Sequence, residues 1–213
     1  MKVILFGSTG MVGQGVLREC LRDPDVTQVL AVVRSTTGQQ HPKLREIVHK
    51  DFTDFATLRL DGDACLWCLG VSSAGMNEAD YTRITHDFTI AAANVLARPT
   101  MTFIFVSGSG ADGSAMWARV KRRTEQDLTA MPFKKVYVFR PGLIQPLHGI
   151  RSRTRLYNVL YPLLYPLMLV AKLVAPRFIT DTERLGKAML HIAKKGFPKQ
   201  VLENPDINAA AVG

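Results

Sequence analysis

A glycine-rich turn near the start of the chain has the clearest chemical potential. Gly7-Ser8-Thr9-Gly10-Met11-Val12-Gly13 spaces three glycines three residues apart, between an apolar run and an amphipathic stretch. Such glycines permit a sharp turn, a close backbone approach to a pyrophosphate and tight packing of the following helix, whose free N–H groups bind phosphate. The alternative is a flexible loop without a ligand. The residues expected to bind a dinucleotide here are Gly7, Ser8, Thr9, Gly10, Met11, Val12 and Gly13.

The end of the second apolar run indicates which dinucleotide to expect. An NAD site usually has Asp or Glu there, about 20 residues after the glycine turn, to bind the ribose hydroxyls. This chain has Arg34 instead, and no acidic residue lies between Asp25 and Glu46. A guanidinium binds a 2′-phosphate through two N–H groups and stacks on adenine, whereas a carboxylate repels the phosphate. We therefore expect NADP(H) as cofactor; the alternative is that Arg34 is a solvated surface arginine.

Two further pairs of residues lie at predicted strand ends. Asp51 and Phe52 follow the third strand, where a hydrogen bond and an apolar contact would flank the adenine. An ordinary turn aspartate is the alternative for Asp51. Leu69 and Gly70 end the fourth strand, where a glycine lets the backbone pass close to a dinucleotide. All four are predicted cofactor-binding residues.

The cysteines give no support for a metal or redox site. Cys65 and Cys68 have an odd spacing within a strand, which places their side chains on opposite faces. We therefore expect neither a disulfide nor a metal site. Three cysteines in 213 residues make no disulfide framework and favour a reducing compartment. The apolar run Val3–Phe6 is too short for a secretory signal, and a cytoplasmic location is the expectation.

The elements that must position these residues alternate along the chain. A composition of 47% hydrophobic and 21% charged residues excludes a disordered chain, a collagen-like fibre and a coiled coil. Short apolar runs alternate with helical patterns, which is typical of βαβ units. The predicted strands are Lys2–Phe6, Gln28–Val33, Glu46–His49, Ala64–Leu69, Met101–Val106 and Lys135–Phe139. The predicted later helices are Asp80–Leu96, Ala115–Leu128 and one around Glu183–Ala193.

This order predicts an α/β fold of Rossmann type. We expect a doubly wound parallel sheet in a three-layer αβα arrangement, with a small C-terminal helical cap. Residues 1–213 would form a single NAD(P)-binding domain. Within it, residues 143–180 would form a variable substrate-binding or lid region.

With these features the chain resembles the short-chain dehydrogenase/reductase superfamily, in particular its atypical NmrA-like and epimerase-like branches. The resemblance covers most of the chain and rests on motifs in family order. In that family a serine polarises the substrate carbonyl, and a lysine binds the nicotinamide ribose. It implies catalytic roles for Ser107 and Lys121, a cofactor contact for Lys121, and backbone contacts to the carboxamide from Pro141 and Gly142. The motifs are Gly7-x-x-Gly10-x-x-Gly13, Asp51, Cys68-Leu69-Gly70, Ser107, Lys121 and Arg140-Pro141-Gly142.

One family residue is missing. Family members have a tyrosine four residues before the lysine as the acid–base group, and this chain has Trp117 there. An indole N–H donates a hydrogen bond but does not function as an acid–base group near neutral pH. His86 and Tyr81 are candidate replacements, although for His86 a structural or surface role is the stronger hypothesis.

Three functional hypotheses follow. The first is an NADP(H)-dependent oxidoreductase or epimerase-like enzyme acting on an apolar carbonyl compound. The second is a cofactor-sensing or interaction protein that has lost the chemistry, which Trp117 motivates. The third, compatible with both, is a peripheral membrane protein, because Arg151, Arg153 and Arg155 precede an apolar, tyrosine-rich segment. The net charge of +9 fits anionic ligands. It is spread along the chain without a nucleic-acid reader motif, so nucleic acid is not an expected partner.

Overall fold

The computed structural model describes residues 1–150 and 178–213. In these ranges, seven parallel strands form one sheet in the order β3-β2-β1-β4-β5-β6-β9. Two short strands, β7 and β8, pair separately with each other. The strands are β1 (Lys2–Phe6), β2 (Gln28–Val33), β3 (Leu44–Val48), β4 (Ala64–Trp67), β5 (Thr102–Val106), β6 (Lys135–Arg140), β7 (Leu143–Gln145), β8 (Ile179–Asp181) and β9 (Val201–Glu203).

Helices cover both faces of the sheet, which makes the fold the expected Rossmann-type α/β arrangement. The first helix begins after Gly10 and ends at Arg22, with Asp23 as its C-cap ahead of Pro24. The second is capped by the side chain of Asn77, which accepts a hydrogen bond from the Asp80 N–H at 2.8 Å. The described helices are α1 (Met11–Arg22), α2 (Glu78–Thr82), α3 (Phe88–Leu96), α4 (Met116–Thr129), α5 (Thr182–Lys195) and α6 (Asn204–Ala210).

The central strand β1 is buried on both sides, as its unbroken apolar run predicts. Val3 and Leu5 face the core shared with α1 and α5, whereas Ile4 and Phe6 face the opposite core. Each fully buried side chain of this size contributes about 1.5–3 kcal/mol relative to exposure. The strand therefore holds the glycine turn at its end on a rigid base.

Helices α1 and α5 approach each other as closely as their backbones allow. A Cβ atom built on Gly15 would lie 2.6 Å from Thr182 Cβ, and one on Gly186 would lie 2.8 Å from Glu19 Cγ. Only a hydrogen atom fits at either position. The orientation of α1, and of the turn that precedes it, is thus set by contact with α5.

The long helix predicted over Asp80–Leu96 is interrupted. A π-helical turn, Arg83–Asp87, separates α2 from α3. One extra residue in such a turn rotates the following side chains relative to a continuous α-helix. Thr85 and His86 are buried by this turn.

The last strand of the sheet lies near the end of the chain. β8 pairs with β7 in the separate ladder, outside the seven-stranded sheet. The closing strand is β9, which pairs with β6 through Phe139 and Leu202. The membrane hypothesis concerns Arg151, Arg153, Arg155 and the apolar segment after them, which lie outside the described residues. Within residues 1–150 and 178–213, no helix combines the length and the apolar character needed to cross a bilayer.

Candidate functional site

The glycine turn has the tight geometry that its spacing predicts. Gly7 has a φ of +77°, a conformation that favours glycine, and a Cβ atom there would lie 2.6 Å from the Cys68 and Leu69 backbone. A Cβ on Gly13 would lie 1.9 Å from the Gly7 carbonyl oxygen. The Gly10 N–H closes the turn by donating to the same carbonyl at 2.9 Å. The strand, turn and helix are therefore packed backbone against backbone.

The first turn of α1 is suited to an anion. Gly10, its N-cap, supplies no side-chain cap, and the first turn contains no acidic residue. The N–H groups of Met11 and Val12 lie in the first turn of the helix, where the helix itself provides no carbonyl acceptor for them. Beside them, the buried Ser8 hydroxyl has no hydrogen-bond partner among the residues described. A phosphate would supply the acceptors that these groups lack, and the helix dipole favours its charge.

Arg34 lies immediately after β2 and is exposed. Its guanidinium has no hydrogen bond or ion pair within the described part of the chain. The loop that follows is held by Glu46 on β3, whose carboxylate accepts hydrogen bonds from the Thr36 and Thr37 hydroxyls and the Thr37 N–H. Partial burial raises the pKa of Glu46, but these hydrogen bonds outweigh it and lower the pKa. The sequence analysis did not predict these hydrogen bonds to Glu46, although the two adjacent threonines could have suggested them.

The remaining predicted adenine-side residues are placed unequally. Asp51 is exposed and accepts hydrogen bonds from the Thr53 N–H and hydroxyl, the pattern of an ordinary aspartate turn. Phe52 is only 4% exposed and packs edge-on against Phe6 and Phe55. Its ring is a core side chain, because the two other rings enclose it. The adenine contacts of both residues stay predictions.

The end of β4 lies against the glycine turn. Leu69 is half-buried, and its N–H lies in the close contact with Gly7. A Cβ on Gly70 would meet no atom within 4 Å. This open space lies at the carboxyl ends of β1 and β4, the switch point at which doubly wound sheets bind ligands. Cys65 and Cys68 belong to opposite core faces, as the odd spacing predicts, and both thiols are free.

Ser107 and Lys121 are brought together at the end of β5. The Lys121 ammonium donates to the carbonyls of Val106 and Ser107 at 3.2 and 3.0 Å and lies 5.4 Å from the centre of the Phe105 ring. Burial lowers the pKa of Lys121 to about 8, against the opposing charge of Glu125. The Ser107 hydroxyl donates a hydrogen bond to Glu125.

Arg140 connects this group to three carboxylates. Its guanidinium donates to Glu125 at 2.6 and 3.2 Å, to Asp112 at 2.6 and 3.0 Å, and to Glu203 at 3.4 Å. The hydrogen bond to Glu125 raises the pKa of Arg140. Sequence reasoning missed Glu125 and Asp112. The signal for Glu125 was available, because it lies one helical turn after Lys121 and therefore on the same face of α4.

The tyrosine position is filled by an indole that lies against the same turn. Trp117 is half-buried, and its ring lies 3.5 Å from a Cβ built on Gly110 and 3.9 Å from one on Gly108. Both candidate replacements for the tyrosine are buried. His86 is buried, contrary to a surface role, and its ring nitrogens contact Asp87 and Asp127 at 2.7 and 2.8 Å. Tyr81 is buried as well, which raises its pKa.

Pro141 and Gly142 use their backbone groups within the protein. The Pro141 carbonyl accepts from the Ser109 N–H at 3.0 Å. The Gly142 N–H donates to the Asn204 side chain at 3.1 Å, and a Cβ on Gly142 would lie 2.4 Å from the Phe178 carbonyl oxygen. Their contact with a nicotinamide carboxamide stays a prediction. In the described ranges, no group of three His, Cys, Asp or Glu side chains could hold a metal ion.

Comparison with known proteins identifies the family of the chain. It is 30% identical over 165 residues to the protein fmp52-1, mitochondrial, of Aspergillus terreus, an alignment covering 72% of this chain and 69% of that protein. The chain belongs to the Fmp52 family. A second Fmp52 protein, from Meyerozyma guilliermondii, is 28% identical over 155 residues, or 68% of this chain and 65% of its own length. The chain thus matches about two thirds of the length of these Fmp52 relatives. No protein-family model matches it.

The names of these relatives correct the cellular location expected for this chain. A cytoplasmic location is wrong, because the Fmp52 relatives are named as mitochondrial proteins. The expectation failed because the two observations behind it are not specific to the cytoplasm. Free cysteines indicate only a reducing environment, and a short apolar run at the start of the chain argues only against a secretory signal. Neither observation distinguishes the cytoplasm from another reducing compartment.

Solved structures show that this chain shares the Rossmann-type α/β fold found in short-chain dehydrogenases/reductases and epimerases, as the resemblance implied. A short-chain dehydrogenase/reductase family oxidoreductase from Burkholderia thailandensis superposes with a TM-score of 0.69 at 13% identity, covering 97% of this chain and 92% of that one. A UDP-glucuronic acid 4-epimerase from Bacillus cereus, in complex with NAD, has a TM-score of 0.69 at 12% identity, covering 95% and 76%. At such identities the likeness concerns the fold alone.

Proposed function

We propose that the protein binds NADP(H) at the glycine turn. The observation that carries the proposal is the turn itself, at the switch point of the sheet. It combines an uncapped helix N-terminus, a buried Ser8 hydroxyl without a partner among the described residues, and contacts that exclude any side chain at Gly7 and Gly13. The N–H groups of the helix N-terminus and the Ser8 hydroxyl are hydrogen-bond donors for which the described part of the chain supplies no acceptor. A pyrophosphate would supply acceptors for them.

Arg34 supports the phosphorylated form of the cofactor. It is exposed at the end of β2, where a ribose-binding carboxylate is absent, and no described carboxylate pairs with it. Glu46 is the first acidic residue after Arg34 along the chain, but its oxygens are engaged by Thr36 and Thr37. A free guanidinium can take a 2′-phosphate through two N–H groups.

The proposed reaction is oxidoreductase or epimerase-like chemistry on an apolar carbonyl compound and its alcohol. A bound nicotinamide supplies or accepts a hydride. Lys121 would hold the ribose hydroxyls with its ammonium, and Ser107 would position the reacting oxygen. Trp117 offers an N–H that donates a hydrogen bond but retains its proton. A second candidate, a cofactor-sensing protein without catalysis, is favoured by this same residue.

We also propose that residues 1–213 act as one unit, in which 143–180 supply the substrate region. The glycine contacts between α1 and α5 support the first point, because they join the beginning of the chain to its end. The β7–β8 pair supports the second, because it joins the two ends of that region. Contact of residues 151–177 with a membrane surface stays a hypothesis, and nucleic acid is not proposed as a partner.

Titration with NADPH and NADH tests the cofactor proposal. Wild-type protein should bind NADPH more tightly than NADH. Replacing Arg34 by Ala should weaken NADPH binding by about 10- to 100-fold, the value of a hydrogen-bonded charge pair, with little effect on NADH. Arg22→Ala is the matched control, because Arg22 is an exposed arginine at the end of α1 that lies away from the glycine turn. Failure of wild-type protein to bind either nucleotide would refute the proposal.

An activity assay separates the two candidate functions. NADPH consumption with a panel of apolar ketones and aldehydes, lost in Ser107→Ala, would support the enzyme. Cofactor binding without hydride transfer, unchanged by Trp117→Tyr, would support the sensing protein.

A further inference from the structure

The single proton of the Ser107 hydroxyl is directed into the protein. Ser107 is buried, and its Oγ donates to Oε1 of the equally buried Glu125. A serine hydroxyl has one proton and two acceptor positions. Because the proton is committed to Glu125, only acceptor positions remain for a ligand.

The direction of this hydrogen bond is fixed by Arg140. Its guanidinium donates to both oxygens of Glu125, at 3.2 Å to Oε1 and 2.6 Å to Oε2. An arginine is always charged, and it stabilises the carboxylate in the ionised form, which can only accept. Glu125 therefore has no proton to offer Ser107. Nor does any other described group donate a hydrogen bond to the Ser107 oxygen.

The neighbouring donors do not change this polarity. The Lys121 ammonium donates to two backbone carbonyls, including that of Ser107, and not to its hydroxyl. The Trp117 indole lies over the turn that follows Ser107. Ser107 can thus act towards a ligand as an acceptor, beside the Lys121 ammonium and the Trp117 N–H, which are donors.

We infer that the site selects the hydroxyl form of its substrate, with Ser107 accepting a hydrogen bond from the ligand O–H and Glu125 as the positioning residue that sets this polarity. The inference rests on the proposed function and names the preferred member of the alcohol–carbonyl pair. A ketone would direct its lone pairs against those of Ser107, whereas an alcohol would supply the missing proton. The structure therefore favours an apolar alcohol over the corresponding ketone as the bound ligand.

Two small probes that cannot react test this preference in one complex. In NADP⁺-loaded protein, 1-methylcyclohexanol has no hydrogen on its carbinol carbon to transfer, and cyclohexanone is already oxidised. Ligand-observed NMR gives the dissociation constant of each. We expect the alcohol to bind roughly five- to tenfold more tightly, the value of one hydrogen bond. Equal binding, tighter binding of the ketone or no binding of either probe would overturn the inference.

Glu125→Gln reverses the polarity in a predictable way. The amide oxygen would accept from Arg140, and the amide NH₂ would donate to Ser107, which frees the serine proton for the ligand. The preference for the alcohol should then fall to about one or invert. Asp112→Asn is the matched control, because Asp112 also binds Arg140 but does not contact Ser107. It should keep the wild-type preference, and an equal loss in both variants would reduce Glu125 to a merely structural role.

Ser107→Ala provides a second variant that leaves the Glu125–Arg140 pair in place. It should bind both probes equally, and a retained preference would overturn the inference even if Glu125→Gln does not fold. Titration of each variant with NADPH comes first and separates the failures. Without cofactor binding in wild-type protein the proposed function fails, whereas normal cofactor binding without a probe preference refutes this inference alone.

Discussion

A methyl group added at Gly13 should abolish tight cofactor binding. In Gly13→Ala the new Cβ would lie 1.9 Å from the Gly7 oxygen, 2.6 Å from the Gly7 carbonyl carbon and 2.9 Å from Ser8 Cα. All three are backbone atoms, so no side-chain rotation relieves the overlap. To reach ordinary contact at 3.4 Å, the turn and the helix must separate by about 1.5 Å.

The expected loss follows from that displacement. A hydrogen bond of about 2.9 Å that is lengthened by this amount no longer contributes. Two lost bonds to a charged phosphate, each worth about 1.5–3 kcal/mol, weaken binding by about 3–6 kcal/mol, or roughly 10²- to 10⁴-fold. The dissociation constant for NADPH, measured by fluorescence titration well below the unfolding temperature, tests the estimate.

Gly62→Ala is the matched control at the opposite end of β1 from the glycine turn. Its Cβ would also be crowded, at 2.9 Å from Ile4 Cγ1 and 3.3 Å from the Lys2 oxygen. It should lower the free energy of unfolding by about 1–3 kcal/mol through overpacking and leave the affinity of the folded protein nearly unchanged. If Gly13→Ala binds NADPH within roughly threefold of wild type, the turn is not the phosphate site and the reasoning fails.

Three more outcomes follow from the structure. Gly70→Val should leave the unfolding free energy unchanged, because no atom lies near the added Cβ. It should weaken NADPH binding by roughly tenfold or more, because the cofactor is proposed to fill that space. An affinity equal to that of wild type would contradict this prediction. Burial holds the pKa of Lys121 at about 8, below its ordinary value of 10.5, so the unfolded chain binds more protons between these pH values. Wild-type stability relative to Lys121→Met should therefore rise from about pH 8 to 10.5 in urea denaturation, and a flat difference would refute the assignment. His86→Ala should lower the unfolding free energy by about 1–3 kcal/mol without changing NADPH affinity, since its carboxylate partners lie on the α3 and α4 side of the fold; an affinity loss would place His86 in the site.

The central sheet could be predicted because its signals are local. The apolar run Lys2–Phe6 ends at Gly7, and each such pattern predicts the burial of its own residues. Val201–Glu203 carries no such signal. Its three residues become a strand through pairing with β6, where Leu202 lies opposite Phe139.

The candidate site was predictable to a similar extent. The glycine turn is contiguous, so its spacing is visible in the sequence. The acidic partners of Arg140 are not, because Glu125 and Asp112 come from separate segments that only the folded sheet brings together. His86 was predicted to lie on a continuous helix, in a structural or surface role. The π-helical turn changes the direction of its side chain and buries it.

The glycine-to-glycine contact between α1 and α5 has a consequence for dissecting the protein. A fragment that ends at Arg140 would keep the glycine turn, Arg34 and Lys121. It would lack the surface formed by Thr182 and Gly186 that orients α1, and it would leave the apolar stripe of that helix in water. We therefore expect that the first two thirds of the chain do not bind the nucleotide on their own. Truncated or grafted proteins must also contain α5.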